Sequence, residues 1–168
     1  MTKHFMIPDT QVKVGVNTDH LEAAGHYIVE KQPEVIVHIG DHWDMASLSS
    51  FDRPGSKKLE GKRYLEDIDA GNVAMDKLMK PIQRYNRQQV SNRKKQYKPK
   101  LVFCMGNHEY RINRTTESDA RMDGLLSTDQ FNLKEHGWDV KEFLEVTNIN
   151  GVNYSHYFVN PSGLTGHP

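Results

Sequence analysis

Three places in the sequence set oxygen and nitrogen donors directly after apolar runs. They are Asp9 in Pro8-Asp9-Thr10-Gln11, Asp41 and Asp44 in Gly40-Asp41-His42-Trp43-Asp44, and Asn107 with His108 in Gly106-Asn107-His108-Glu109. Carboxylate, amide and imidazole in one set suit a hard or borderline divalent metal and not a sulfur-loving one. Gly40 and Gly106 let the backbone turn sharply, so that the donors after them can point into a shared cleft. Nine histidines are many for this length, and histidine is both the commonest metal ligand and the side chain that titrates nearest neutrality. Taken singly, each cluster has an ordinary reading. An Asp after a strand is a turn or cap residue, and a histidine such as His156 in an apolar row is a hydrogen-bonded core residue. Their joint order is what points to metal chemistry.

The elements that must position these donors are legible as apolar runs. Residues 3–8 and 34–39 read as buried strands ending in Pro-Asp-Thr and Gly-Asp. Between them Asp19 is placed to cap a helix with Glu22 three positions on, and Leu21, Ala24, Gly25 and Ile28 share one face before Pro33. A strand, helix, strand unit makes a crossover between parallel strands, which brings Asp9 and Asp41 to one edge of the sheet. Residues 60–90 are helix-compatible, with Ile68, Val73, Met75, Leu78, Met79 and Ile82 as apolar contacts and a kink or break expected at Pro81. Residues 100–105 form a third buried strand that delivers Asn107 and His108 to the same kind of edge. Residues 138–146 and 152–158 read as a hairpin joined through Asn148-Ile149-Asn150-Gly151, with Val152, Tyr154, His156 and Phe158 on one face. The expected class is α/β, in one domain spanning 1–168.

Composition narrows the function. With 22 basic against 22 acidic residues, the chain as a whole has no charge bias toward nucleic acid or membrane. A local basic stretch, residues 84–100, carries seven Lys or Arg and no acid; it reads as a solvated helix end and loop, or as a phosphate contact in which Tyr85 and Tyr97 stack on bases. One cysteine, Cys104, excludes an internal disulfide and a cysteine-built zinc site. No apolar run is long enough for a membrane span or an export signal, so the reading is a soluble, cytoplasmic protein.

Asp9-x-Gln11, Gly40-Asp41-x-x-Asp44, Gly106-Asn107-His108-Glu109 and a later strand with His156, in this order, are similar to the successive motifs of the calcineurin-like metallophosphoesterases. The resemblance runs from Phe5 to about Phe158 and is strongest to members encoded by bacteriophages, which would place the protein in the host cytoplasm. It implies a four-layer α/β/β/α sandwich holding two divalent metal ions. Asp41 would bridge both, Asp9 and Gln11 would serve the first, and Asn107 and His156 the second. His108 would be the acid beside the metals, Glu109 would orient it, and Asp44 would complete the catalytic group. Two such cations about 3.5–4 Å apart clamp a phosphoryl group, acidify a bound water and offset developing charge. Manganese suits the mixed Asp, Asn and His set first, with zinc, iron, nickel and magnesium also compatible.

Two departures from the family pattern shape the expectation. The first motif usually ends in His where this chain has Gln11, a weaker donor for a transition metal. The last motif, Gly-His-x-His, has no counterpart; Gly166-His167-Pro168 resembles only its start. The chain therefore reads as an incomplete sandwich, with apolar sheet surface left for a complementing C-terminal fragment or a second copy to cover. The implied activity is hydrolysis of phosphate esters, by a phosphodiesterase, a phosphatase or a nuclease acting on nucleic acid or nucleotides. The alternative is a phosphoesterase fold used as a binding scaffold without turnover.

Overall fold

Short runs of β-branched and aromatic residues alternate with amphipathic segments, and the computed structural model, which describes residues 2–51 and 56–160, turns this alternation into a mixed α/β fold. Strands β1 (His4–Ile7), β2 (Val35–His38), β3 (Lys100–Cys104) and β4 (Asp139–Lys141) form one sheet in that order. All three pairings are parallel. Helices α1 (Asp19–Lys31), α2 (Tyr64–Ser91) and α3 (Arg111–Ser118) connect the strands, and β5 (Thr147–Ile149) and β6 (Val152–Tyr154) form a separate antiparallel pair. No described helix is long and apolar enough to cross a membrane.

Because side chains alternate along a strand, the sheet has two faces. One carries Ile7, Ile36 and Phe103 and packs on α1 and α2, where Leu21, Ile28, Met75, Leu78 and Ile82 are buried with it. The other carries Val35, Val37, Val102 and Cys104 and is covered by Ile149 and Tyr154 of the hairpin. The expectation of bare sheet surface is thus not met at these four residues, which are at most 4 % exposed; Met6, on the same face of edge strand β1, is 54 % exposed. Cys104 is buried in the strand, as its apolar neighbours suggest.

Helix α2 runs through Pro81 without the expected break. A proline removes one helical hydrogen bond and crowds the preceding turn, but here it sits on the buried face against Gly25 of α1, where a Cβ would lie only 2.9 Å from the Pro81 ring and 2.3 Å from the Leu78 carbonyl oxygen. Other local expectations also change. Asp19 is the first residue of α1 rather than its cap; the preceding Thr18 makes no side-chain cap bond, and Asn17 Oδ1 accepts from Asp19 N at 2.7 Å. Val73 faces solvent at 56 % exposure.

The largest difference lies near the C-terminal end. Residues 138–146 do not form a hairpin strand; β4 joins the parallel sheet, and the chain then turns through Leu144 at φ 68°. The hairpin is instead built tightly around Asn150 (φ 53°) and Gly151 (φ 86°), the positive-φ pair that a two-residue turn requires. Since β6 ends at Tyr154, His156 lies on a bend beyond the strand and Phe158 is 53 % exposed. Gly166, His167 and Pro168 lie outside the described residues.

Candidate metal centre and its histidine

The C-terminal ends of β1, β2 and β3 are laced together by backbone contacts. Gln11 N donates to Asp41 O (2.8 Å) and Val12 N to His42 O (2.7 Å). Gly40 turns at φ +94° and Asp41 itself sits at φ 51°, a left-handed conformation that aspartate tolerates better than most residues. A Cβ on Gly106 would fall 2.2 Å from Asp41 Oδ1, and one on Gly40 would fall 2.5 Å from the Cys104 carbonyl oxygen. The two glycines are therefore required by close approach, and the donors after them are pressed into one cluster.

Glu109, fully buried, closes this framework. Its Oε2 accepts from Asp41 N (2.9 Å) and Gly106 N (2.9 Å), and its Oε1 from His42 N (2.7 Å) and Trp43 N (3.0 Å). Burial, then the nearby Asp41 charge, push this carboxyl up to about 7 while the N–H bonds pull the other way. Glu109 makes no hydrogen bond to the His108 side chain; instead of the orienting role expected for it, it ties the loop after β2 to the loop after β3.

Within the cluster, Asp41 Oδ1 accepts from His108 N at 2.9 Å. Its Oδ2 lies 3.6 Å from His156 Nε2 and 3.7 Å from His108 Nε2. His156 Nδ1 donates to Ile39 O at 2.6 Å, which turns Nε2 toward Asn107 Oδ1 at 3.0 Å. A histidine whose far nitrogen is pinned by a backbone carbonyl has the tautomer and orientation of a metal ligand. Asp41 Oδ2, Asn107 Oδ1 and His156 Nε2 then converge, a set of lone pairs that a cation placed among them would satisfy. Burial, and after it the Asp41 charge, raise Asp9 above the usual carboxylate range, with His156 and His108 opposing, so Asp9 stands within electrostatic reach of the same cluster. The donor types fit a divalent metal. Among the described residues, however, no three His, Cys, Asp or Glu side chains already form a ligand cage; the convergence depends on the neutral Asn107. Gln11 (φ 41°) is exposed and lines the cleft next to Asp44 and His108.

His108 is oriented by Asp44 and Arg111. Its Nδ1 lies 3.0 Å from both the backbone oxygen and Oδ1 of Asp44, and its Nε2 accepts from Arg111 Nη2 at 3.2 Å. Arg111, 6 % exposed, is fixed in turn by donating to the Asp44 (2.8 Å) and Met45 (3.3 Å) carbonyls. The Asp44 hydrogen bond raises His108 above its ordinary value, burial opposing. Burial alone would raise Asp44, but His108, Lys13 and Arg111 hold it below the usual range.

Behind the donors runs a polar chain that sequence reasoning missed. His42 Nε2 donates to Gly71 O (3.0 Å), leaving Nδ1 to accept from Thr10 Oγ1 (2.7 Å); His38 Nδ1 accepts from Gly40 N (3.1 Å), leaving Nε2 to donate toward Thr10 Oγ1 (3.4 Å). Every ring nitrogen is satisfied with both imidazoles neutral. Burial accordingly pushes His42 down to about 4 and His38 well below its ordinary value. The signal was available in part: two histidines flanking Ile39-Gly40-Asp41 are too close to a buried strand to be solvated. Arg111 had no such signal, since it opens the charged segment that forms α3.

An open cleft of about 380 Å³ lies beside His108, lined among others by Gln11, Lys13, Asp44, Phe51, Lys62 and Arg111. The basic residues 84–100 are not part of it. They run from the last turns of α2 to the start of β3, opposite the donors, and Lys95 and Lys98 line a second cavity of about 650 Å³ there. There Tyr97 donates to Pro33 O (2.6 Å) and Tyr85 accepts from Gln32 Nε2 (2.8 Å). Any base stacked on Tyr85 or Tyr97 would thus lie away from the donor cluster. Compared with known proteins, the sequence matches no family model and no curated protein.

Proposed function

We propose that this chain is a calcineurin-like metallophosphoesterase that hydrolyses phosphate esters, its sheet forming part of the four-layer sandwich of that family. The observation that carries the reading is the convergence of Asp41 Oδ2, Asn107 Oδ1 and His156 Nε2, with His156 Nδ1 pinned on Ile39 O. Asp41, Asn107 and His156 would hold one divalent ion; Asp9 and Asp41 would hold the other, with Gln11 beside them. Bound ions would supply charge neutralisation and an acidified water.

The chain's own groups do the rest. His108 Nε2 faces the Asp41 carboxylate, and Asp44 at Nδ1 favours the imidazolium, so His108 is placed to give a proton to a departing ester oxygen. Protonation sets Arg111 against it, and the freed Arg111 Nη2 is then available to a phosphoryl oxygen. Glu109 and the glycines hold both loops in register, so little reorganisation accompanies the step.

A second reading, a scaffold without turnover, is favoured by the lack of a closed cage among the described residues. One experiment separates the two: hydrolysis of a chromogenic phosphodiester and phosphomonoester after chelation and manganese addition, in wild type, Asp41→Asn and His108→Ala. Manganese-restored turnover that is lost in Asp41→Asn and falls at least about a hundredfold in His108→Ala supports the enzyme. Wild-type activity in His108→Ala would remove His108 as the acid and with it this mechanism; no turnover in any protein despite manganese binding supports the scaffold.

A further inference from the structure

The end of the fold opposite the donors has an unusual surface: from Arg84 to Lys98 every side chain except Val90 carries a hydrogen-bond donor. The last turns of α2 hold Arg84 and Arg87, and the chain then turns back through Arg93 at φ 55°, where Lys94 N donates to Gln89 O at 2.8 Å. Asn86 clamps the returning arm to the helix: its Nδ2 donates to Tyr97 O and its Oδ1 accepts from Tyr97 N, both at 2.8 Å. Gln96 is the wall between two open clefts, one shared with Arg87 and Val90, the other with Lys95 and Lys98. The cations are thus held on a preset surface and not on a loose tail. Their charge is also unspent. Arg84, Arg87, Arg93, Lys94, Lys95 and Lys98 are exposed, and among the described residues none of them has an ion pair or a side-chain hydrogen bond. Three carboxylates stand at the margin. Glu34 Oε2 accepts from Lys3 N at 2.7 Å, Glu30 meets Lys31 at 2.6 Å, and Glu135 neighbours the His136 that lies 3.2 Å from Gln83. Outside the described residues the sequence holds one acidic side chain, Asp52, too few to reverse the excess.

We infer that this surface docks double-stranded nucleic acid through its phosphate backbone, without reading bases, an inference that stands independently of the phosphoesterase reading. Lys, Arg, Ser, Asn, Gln and Tyr are the side chains that contact phosphate and sugar, and they make up the whole stretch apart from Val90. A duplex offers one negative charge per about 1.7 Å of its axis, so a row of fixed cations meets several phosphates at once. Other polyanions fit less well. An anionic membrane is held by cations together with an apolar face that inserts, but the apolar residues Leu78, Met79 and Ile82 of α2 are in the core and Val90 stands alone. An acidic protein would need a well-packed aromatic or apolar anchor at the centre of the contact. The rings available, Tyr85 and Tyr97, are half-buried, with Tyr97 donating to Pro33 O at 2.6 Å and Tyr85 accepting from Gln32 at 2.8 Å. For the same reason a single strand, which gains affinity from stacking on rings, gains less here than a duplex gains from its charge density.

The test is anisotropy of two labelled DNA duplexes of unrelated sequence, titrated with the full chain in excess chelator across a salt series, so that neither metal nor turnover enters. The expected result is equal affinity for both duplexes, with a dissociation constant of about 1–100 μM at physiological salt. In the double variant Arg87→Gln with Lys98→Gln the slope of log affinity against log salt should become shallower by about 1.8, since each phosphate contact contributes about 0.9. Both side chains are exposed and without a partner among the described residues, so the fold is not at risk. Arg121→Gln, an exposed cation paired with Asp119 just after α3, should leave the slope as it is. No binding at about 50 mM salt, where backbone contacts are strong, would overturn the inference. So would a change in slope of less than about 0.9 in the double variant, or an equal change in Arg121→Gln. Oligothymidylate, polyglutamate and phosphatidylserine vesicles are run beside the duplexes, and tighter binding to any of them would assign the surface to that class of partner and overturn the inference as well.

Discussion

Gly106 stands where the loop after β3 meets Asp41, and its lack of a side chain is a measurable quantity. In Gly106→Ala the new Cβ would lie 2.2 Å from Asp41 Oδ1 and 2.4 Å from Asp41 N. Ordinary carbon contacts begin near 3.4 Å, so the carboxylate or its backbone must retreat by about 1 Å, twice the tolerance of about 0.5 Å within which a site keeps its geometry. Gly106 is not in the left-handed region, so alanine has no backbone conflict of its own and the effect comes from contact alone. Overpacking costs about 1–3 kcal/mol. Loss of the charge-assisted bond from His108 N to Asp41 Oδ1 adds about 1.5–3 kcal/mol. The expected loss is therefore about 2.5–6 kcal/mol, read as a lower urea midpoint with unchanged slope. In the fraction that remains folded, manganese affinity measured by calorimetry should drop at least about tenfold. Stability within about 0.5 kcal/mol of wild type, the ordinary scatter of a surface substitution, would refute the close approach itself; lowered stability with normal manganese affinity would refute Asp41 as a ligand in the proposed metal site.

Three further outcomes follow from the same geometry. Gly71→Ala places a Cβ 1.9 Å from the Trp43 ring, so despite a gain in helix propensity of about 1 kcal/mol the variant should be less stable, with altered tryptophan fluorescence; a more stable variant would mean that α2 and Trp43 do not meet as described. His42, held neutral with its value lowered to about 4, contributes stability present above its unfolded value near 6.5 and lost as pH falls toward 4. The advantage of wild type over His42→Gln, taken from urea midpoints, should therefore shrink by about 2–3 kcal/mol between pH 7.5 and pH 4.5, and a pH-independent difference would contradict it. Arg111→Lys keeps the charge but loses the fork that joins the Asp44 and Met45 carbonyls to His108 Nε2. Turnover should fall about tenfold or more with manganese affinity unchanged; full activity would show that Asp44 alone orients His108.

What could be read in the sequence was what is local. The apolar runs of β1, β2 and β3 and the Gly-Asp and Gly-Asn dipeptides after them report their own surroundings, and the parallel edge that gathers Asp41 and Asn107 follows from crossover geometry. The interactions that went unread join residues far apart in the chain. Glu109 looked like the neighbour that steadies His108, yet its four partners lie on the backbones of Gly106 and of residues 41–43, and no periodicity signals an acceptor for N–H groups more than sixty positions away. The misplaced hairpin has a related cause. Trp138 and Val140 are apolar enough to suit either a hairpin or a sheet edge, and burial of Trp138 behind Phe103 decides between them, a contact invisible in one dimension. His156 shows how a conclusion about placement can survive an error about its means. Strand alternation was expected to set it on one face with Val152, Tyr154 and Phe158, but β6 stops at Tyr154, and the ring is aimed by its own bond to Ile39 O. That bond comes from the residue just before Gly40, so the turn that projects Asp41 and the carbonyl that orients His156 belong to one segment. A change in the residues 39–41 backbone should therefore disturb both donors together, whereas a change in the hairpin turn at Asn150 should disturb neither.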